Sequence, residues 1–200
     1  EGLIGTDVST DALALAADGL EALATRFAHE VPRSMYDGIA EAAMAGAEPT
    51  DPASFFDHSP MIGKANPLAP PITIEVDGDT IVGHVTFGSA YEGQPGCVHG
   101  GYVASSFDKV LGAAQTFSGA PGMTARLLVN YRRPTPLHAP LRFEGRFVRI
   151  EGRTVYTEGQ VFADGQMTAE AEGLFISIDV EKFRSLREQR DARLRGDTPS

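Results

Sequence analysis

The chain has 200 residues, 42% of them apolar, enough for one core with an extension or for two small domains. A formal net charge of −10 and a pI near 4.9 argue against a nucleic-acid partner, whose phosphates call for clustered Lys and Arg. A single cysteine, Cys97, excludes an intrachain disulfide, and no apolar run approaches the ~20 residues of a membrane span. The N-terminus carries no basic segment followed by an apolar one, so no secretory leader is read there. Opening on Glu1-Gly2 without a Met, the sequence reads as a shortened one. The expectation is a soluble, cytoplasmic protein with no membrane partner.

Residues 1–9 read as a lead. Ser9-Thr10-Asp11 offers a cap to a helix reaching about His29, with Leu13, Ala16, Leu20, Leu23, Ala24 and Phe27 on one face. Pro32 interrupts, and Met35 to Ala47 is a second helical stretch. From Pro49 to Pro71 the prolines dictate a loop, but Phe55, Phe56, Met61, Ile62 and Leu68 make it apolar, so it is expected to drape over a core. His58 within it reads as structural or exposed. Ile72–Val76 and Thr80–Phe87 alternate as two strands around the turn Asp77-Gly78-Asp79.

Gly88–Gly96 is a loop, and an apolar helix follows from about His99 to Phe117, closed by Gly119-Ala120-Pro121-Gly122. Strands follow over Thr124–Arg133, Leu141–Glu151, Thr154–Ala163 and Met167–Ile178, with tight turns at Gly152 and Asp164-Gly165. Such short turns predict an antiparallel meander. Val180–Leu194 reads as a charged helix, and Gly196 onward as disordered. Three regions result: a helical and Pro-rich extension (1–71), a core domain (72–179), and a C-terminal helix and tail (180–200). One long helix on one antiparallel sheet is an α+β arrangement. A single helix covers only part of such a sheet, so a second copy is expected to cover the rest.

The chemistry gathers on the helix at 99–117. His99-Gly100-Gly101 leaves backbone N–H groups without intrahelical partners, and the helix dipole favours negative charge there. The glycines either allow close packing on the sheet or let a carbonyl under attack approach those donors. Asp108 lies among Val103, Ala104, Phe107, Val110 and Leu111. It either points to solvent beside Lys109 or serves as a general base or nucleophile. Gly100 and Asp108 are eight residues apart, about 12 Å of helix rise, so one chain cannot apply both to one carbonyl. Two antiparallel helices across a dimer interface can, which predicts two symmetric sites shared between subunits. Cys97 reads as an inert small residue. Ser105 and Ser106 lack the Gly-x-Ser-x-Gly setting of a serine hydrolase, and the five histidines show no metal-ligand spacing.

Val98-His99-Gly100-Gly101 followed by Asp108, then Thr124 to Pro136, resembles the hotdog-fold acyl-CoA thioesterases of the PaaI-like branch. The resemblance runs from about Ile72 to Ile178 and includes Gly152-Arg153 and Asp164 to Ala171. It implies an antiparallel sheet wrapped around a central helix and hydrolysis of an acyl-CoA thioester by a homodimer or dimer of dimers. CoA would arrive as part of the substrate, with no cofactor. It further implies that Asp108 activates water or attacks the thioester. The Gly100 N–H would polarise the carbonyl, His99 would orient the loop and the thiolate side, and Thr124 would help position water. Asn130, Arg132, Arg153 and Thr154 match places where relatives hold CoA, and Arg forks suit its phosphates. Many relatives carry an Asn before His-Gly-Gly, where this chain offers Glu92 and Gln94. The readings that compete with catalysis are a non-catalytic acyl-CoA-binding module and, last, a hotdog hydratase or dehydratase, whose His/acid pattern is absent here.

Overall fold

A computed structural model describes residues 7–27, 59–63, 66, 69–120 and 122–179, with residues 185, 186, 188, 189, 192 and 193 near the C-terminus. Helix α1 spans Thr10–Phe27 and is capped by Ser9, whose Oγ accepts from the Ala12 N–H at 3.3 Å. Its apolar stripe is as the spacing predicts, but none of its residues is buried; Leu20 and Phe27 are 62% and 61% exposed. The second predicted helix, Met35 to Ala47, and His58 lie outside the described residues. The described part of the Pro-rich segment lies on the core. Ser59 and Pro70 are fully buried, Ile62 packs against the core, and the Tyr91 hydroxyl donates to the Ala69 carbonyl at 3.2 Å. The described C-terminal positions, 185 to 193, have helical geometry.

Six strands form one antiparallel sheet: β1 (Thr73–Asp77), β2 (Thr80–Thr86), β3 (Gly122–Tyr131), β4 (Pro140–Glu151), β5 (Thr154–Ala163) and β6 (Gln166–Ser177). Helix α2 (Gly100–Ala114) lies across it and leads into a 3-10 turn over Gln115–Ser118. The sheet order is β1-β2-β4-β5-β6-β3, which corrects the simple meander. β1 with β2, and β4 with β5 and β6, run as neighbours in chain order; β3 alone is displaced. The chain leaves β2, crosses the sheet in α2, and enters β3 at the far edge, where β3 pairs with β6. The crossing is what places the helix over the middle of the sheet.

The core is the interface of α2 with the sheet's inner face. Val103, Phe107, Val110 and Leu111 meet Phe143, Val155, Val161, Ala171 and Phe175, all 2% exposed or less. Burying a side chain of this size contributes about 1.5–3 kcal/mol, so this face dominates the stability of the domain. The helix sits low because Gly145 and Gly159 oppose one another on β4 and β5 directly beneath it. A methyl at Gly145 would come within 2.7 Å of Val110 Cγ1, and one at Gly159 within 3.0 Å of Leu111 Cδ2. On the outer face Arg142, Glu144, Arg146, Glu158 and Glu172 alternate with these inward positions, as period-two patterning requires.

Candidate active site

The loop before α2 is held by its own backbone. His99 N–H donates to the Tyr91 carbonyl, Val98 N–H to the Thr135 carbonyl and Gly93 N–H to the Cys97 carbonyl, at 2.8–2.9 Å. Glu92, which stands near the place of the relatives' Asn, is folded back into this loop. Its Oε1 accepts from the Gly96 N–H at 2.7 Å.

His99 is the N-cap of α2, and its Nδ1 accepts from the Gly101 N–H at 3.0 Å. An imidazole that accepts at Nδ1 carries its hydrogen on Nε2, so the exposed edge of the ring is a donor. Tyr102 N–H is met by the His99 carbonyl at 2.9 Å. The Gly100 N–H is left without a partner among the described residues. A lone, dipole-aligned donor beside a residue with no side chain is what a carbonyl oxygen gaining charge needs.

Asp108 sits in the second half of the same helix, half-buried. Its Oδ1 accepts from the Thr124 hydroxyl at 2.7 Å, which leaves Oδ2 free among the described residues. Thr124 reaches it from β3 because of a bulge. Thr124 pairs with Phe175 and Arg126 with Leu174, so Ala125 is an extra residue in the ladder. At the other end of β3, the Tyr131 hydroxyl donates to the Gly100 carbonyl at 2.7 Å. Thr124 and Tyr131 are seven residues apart, an odd number that would set them on opposite faces of a regular strand. The bulge turns both toward α2.

The start of β3 is fixed from the helix side by Gln115, which is 6% exposed. Its amide donates to the Gly122 carbonyl at 2.9 Å and accepts the Gly122 N–H at 3.1 Å. This two-way bond imitates a strand neighbour two residues before Thr124.

The structure thus joins His99 with the Gly100-Gly101 turn at one end of α2, and Asp108 with Thr124 further along. The four remaining predicted residues lie elsewhere. Asn130 is paired with Glu170 across β3 and β6, and Arg132 Nε donates to the Glu170 carboxylate at 3.0 Å. Asn130 lines a depression of about 240 Å³ on the outer face, together with Glu144, Arg146, Glu158 and Glu172. Arg153 and Thr154 are at the β4–β5 turn, where Arg153 Nη2 donates to the Ser177 carbonyl at 2.9 Å. Thr154 is level with Ile176, itself level with Met123, so this turn is at the Thr124 end of the sheet. Asn130 and Arg132 are at the Gly100 end.

Residues 95–170, from the loop into the first half of β6, match the family model described as Thioesterase superfamily. The crystal structure of protein RHA08564, a thioesterase superfamily protein, is 35% identical to this chain, with a TM-score of 0.71, and the match covers 87% of each chain. The chain belongs to the thioesterase superfamily. Acyl-coenzyme A thioesterase THEM4 from Xenopus laevis is 37% identical over 93 residues, which cover 46% of this chain and 42% of that protein. The chain therefore spans less than half the length of the curated relatives it matches. A Streptococcus mutans protein, smu.793, solved bound to acetyl CoA, is 19% identical with a TM-score of 0.50 over 54% of this chain and 88% of that one. At that identity the likeness is one of fold.

Nothing in the sequence of this thioesterase-superfamily chain singles out Tyr131 or Gln115. Tyr131 follows Asn130 in a strand whose face parity is set by the bulge, and no residue type announces that bulge. Gln115 reads as one polar residue near a helix end.

Proposed function

We propose that the chain hydrolyses an acyl-CoA thioester as a homodimer, each active site being shared between two copies. The observation that carries this reading is the separation of two complementary half-sites on one helix. A partnerless Gly100 N–H stands at the start of α2, and an Asp108 carboxylate oriented by Thr124 stands eight residues on. At 1.5 Å per residue these are about 12 Å apart along the axis, too far for one carbonyl. The relatives named acyl-coenzyme A thioesterase support the substrate class. The neighbour bound to acetyl CoA is compatible with it.

The edge strand supports the partner. β3 is ten residues long, lies at the free end of the sheet, and exposes Met123 (55%), Leu128 (47%) and Tyr131 (52%). A long edge with apolar side chains invites another strand, and a second copy of β3 is self-complementary about a two-fold axis. Such an axis sets the Gly100 end of one copy against the Asp108 end of the other. It also sets Asn130 and Arg132 of one copy toward the end holding Arg153 and Thr154 of the other. These four are the residues we assign to CoA. Two such dimers packing together give the dimer of dimers.

In this site the thioester oxygen accepts the Gly100 N–H. The Asp108 carboxylate from the other copy either takes a proton from water as the water oxygen bonds to the carbonyl carbon, or bonds to that carbon itself. The C–S bond then breaks, the His99 Nε2–H hydrogen-bonds the departing thiolate, and the thiolate becomes the CoA thiol by taking the proton held on Asp108 on the first route or one from solvent on the second. On the second route water cleaves the acyl–Asp108 anhydride afterwards. Thr124 holds Oδ1, so that Oδ2 does the work.

Asp108→Asn tests this. Loss of a general base costs roughly 10²- to 10⁴-fold in rate, so kcat on a panel of acyl-CoAs is expected to fall by that amount. Near-wild-type turnover would sink the assignment. A wild-type protein that bound CoA thioesters without turning them over would instead be an acyl-CoA-binding module.

A further inference from the structure

The mechanism above makes no use of Tyr131, yet this residue grips the carbonyl site. Its hydroxyl donates to the Gly100 carbonyl at 2.7 Å. Its ring lies over Gly100, where a methyl would meet the hydroxyl at 3.2 Å and Cζ at 3.3 Å. Glycine at position 100 therefore makes room for the phenol as well as for a ligand. The first carbonyl of a helix is ordinarily met by the N–H four residues on and needs no second donor. In the single chain Tyr131 is 52% exposed, on the edge proposed to meet a second copy, so filling the chain's own core does not explain its place. Desolvation by burial raises its pKa above the usual phenol value, further from neutrality, where the hydroxyl is a donor in any case.

We propose that Tyr131 is the positioning residue of the carbonyl site, holding the first turn of α2 so that the Gly100 N–H stays aimed at the substrate. This rests on the thioesterase reading. A helix that begins Gly-Gly has the least constrained backbone available, and helix ends fray. The His99 cap holds the N–H end of the Gly100–Gly101 peptide unit, and the Tyr131 hydroxyl holds its carbonyl end, so the plane adjoining the Gly100 N–H is pinned on both sides. Tyr131 supplies the second of these restraints from β3, which is tied to β6 along its length. The same strand holds Asp108 through Thr124, so one element sets both half-sites.

Tyr131→Phe tests this by removing one oxygen and keeping the ring. On an acyl-CoA that the wild type turns over, kcat is expected to fall roughly tenfold, the effect of one lost positioning hydrogen bond. KM should stay within about twofold, because an oxyanion donor acts mainly in the transition state. The Gly100 carbonyl carbon resonance, read in labelled protein without substrate, should move upfield as its hydrogen bond is lost. Because Phe keeps the ring on the β3 edge, the melting temperature should stay within about 3 °C of wild type. An unchanged kcat in an active enzyme, or a change confined to KM, overturns the positioning role and leaves the thioesterase reading standing. An unmoved Gly100 resonance overturns the contact itself. A wild-type protein inert on every thioester overturns the thioesterase reading and this role with it, even where the resonance moves.

Discussion

The proposed shared site makes a quantitative prediction for mixed dimers. Asp108→Asn removes the carboxylate, and Gly100→Pro removes the Gly100 N–H. Proline suits the first helical position, because its fixed φ is already helical and the N–H it lacks has no partner within the helix. Its Cβ must displace the Tyr131 hydroxyl, which stands 3.2 Å from that point. Each variant alone forms dimers with both sites broken. When the two are unfolded together and refolded, half of the dimers are expected to contain one chain of each kind. In such a dimer the Gly100 of the Asn variant faces the Asp108 of the Pro variant, and that site is intact, while the other has lost both groups. One good site in two, in half of the dimers, gives about one quarter of wild-type kcat per chain. The assay is release of CoA thiol, with size-exclusion chromatography to verify that the mixture is dimeric. If each site were built from one chain, no mixed dimer would contain an intact one. A dimeric mixture no more active than its parents would therefore refute the shared site.

Two substitutions test how the Asp108 half is built. Gln115→Leu keeps the volume and removes both bonds to Gly122, worth about 1 kcal/mol net each. The expected loss is about 2 kcal/mol, or a melting temperature lower by about 4–8 °C, read by calorimetry; a shift under about 1 °C would mean that the clamp is idle. Thr124→Val removes the hydroxyl that holds Asp108 Oδ1 at nearly constant shape. It should lower kcat/KM roughly tenfold while Thr124→Ser retains most of it, and equal rates for Val and wild type would remove Thr124 from the site.

Much of this architecture is written locally in the chain. Leu141, Phe143 and Gly145 alternate with Arg142, Glu144 and Arg146, and the first three are buried against α2. Asp164-Gly165 turns with both residues at positive φ, 49° and 74°, as a two-residue hairpin requires. Alternation, however, states which face of a strand is wet and never which strand lies beside it. The position of β3 beyond β6 follows from where α2 delivers the chain, and it was not legible. The stripe of α1 likewise gives a helix without naming any surface for it, and in the described structure Leu13, Leu20 and Leu23 stay exposed. In the site, spacing alone was enough to separate Gly100 from Asp108 and so to motivate the proposed partner. The contact of Asp108 with Thr124 joins residues sixteen apart and depends on a tertiary crossing.

The bulge in β3 shows why such a site resists reading from sequence. Thr124 must face α2 to reach Asp108, and Tyr131 must face α2 to reach Gly100. Seven residues separate them, so in an unbroken strand serving one would turn the other to the outer face. Inserting Ala125 changes the parity once, between the two, and leaves the rest of the ladder with β6 in register. The bulged residue does no chemistry, and alanine is as ordinary as a side chain can be. Its effect is positional: it lets a single edge strand hold the helix both at its first turn and at Asp108. Because β3 is also the edge we propose for a second copy, anything that re-registers it should disturb the Asp108–Thr124 contact, the Gly100–Tyr131 contact and the proposed interface together.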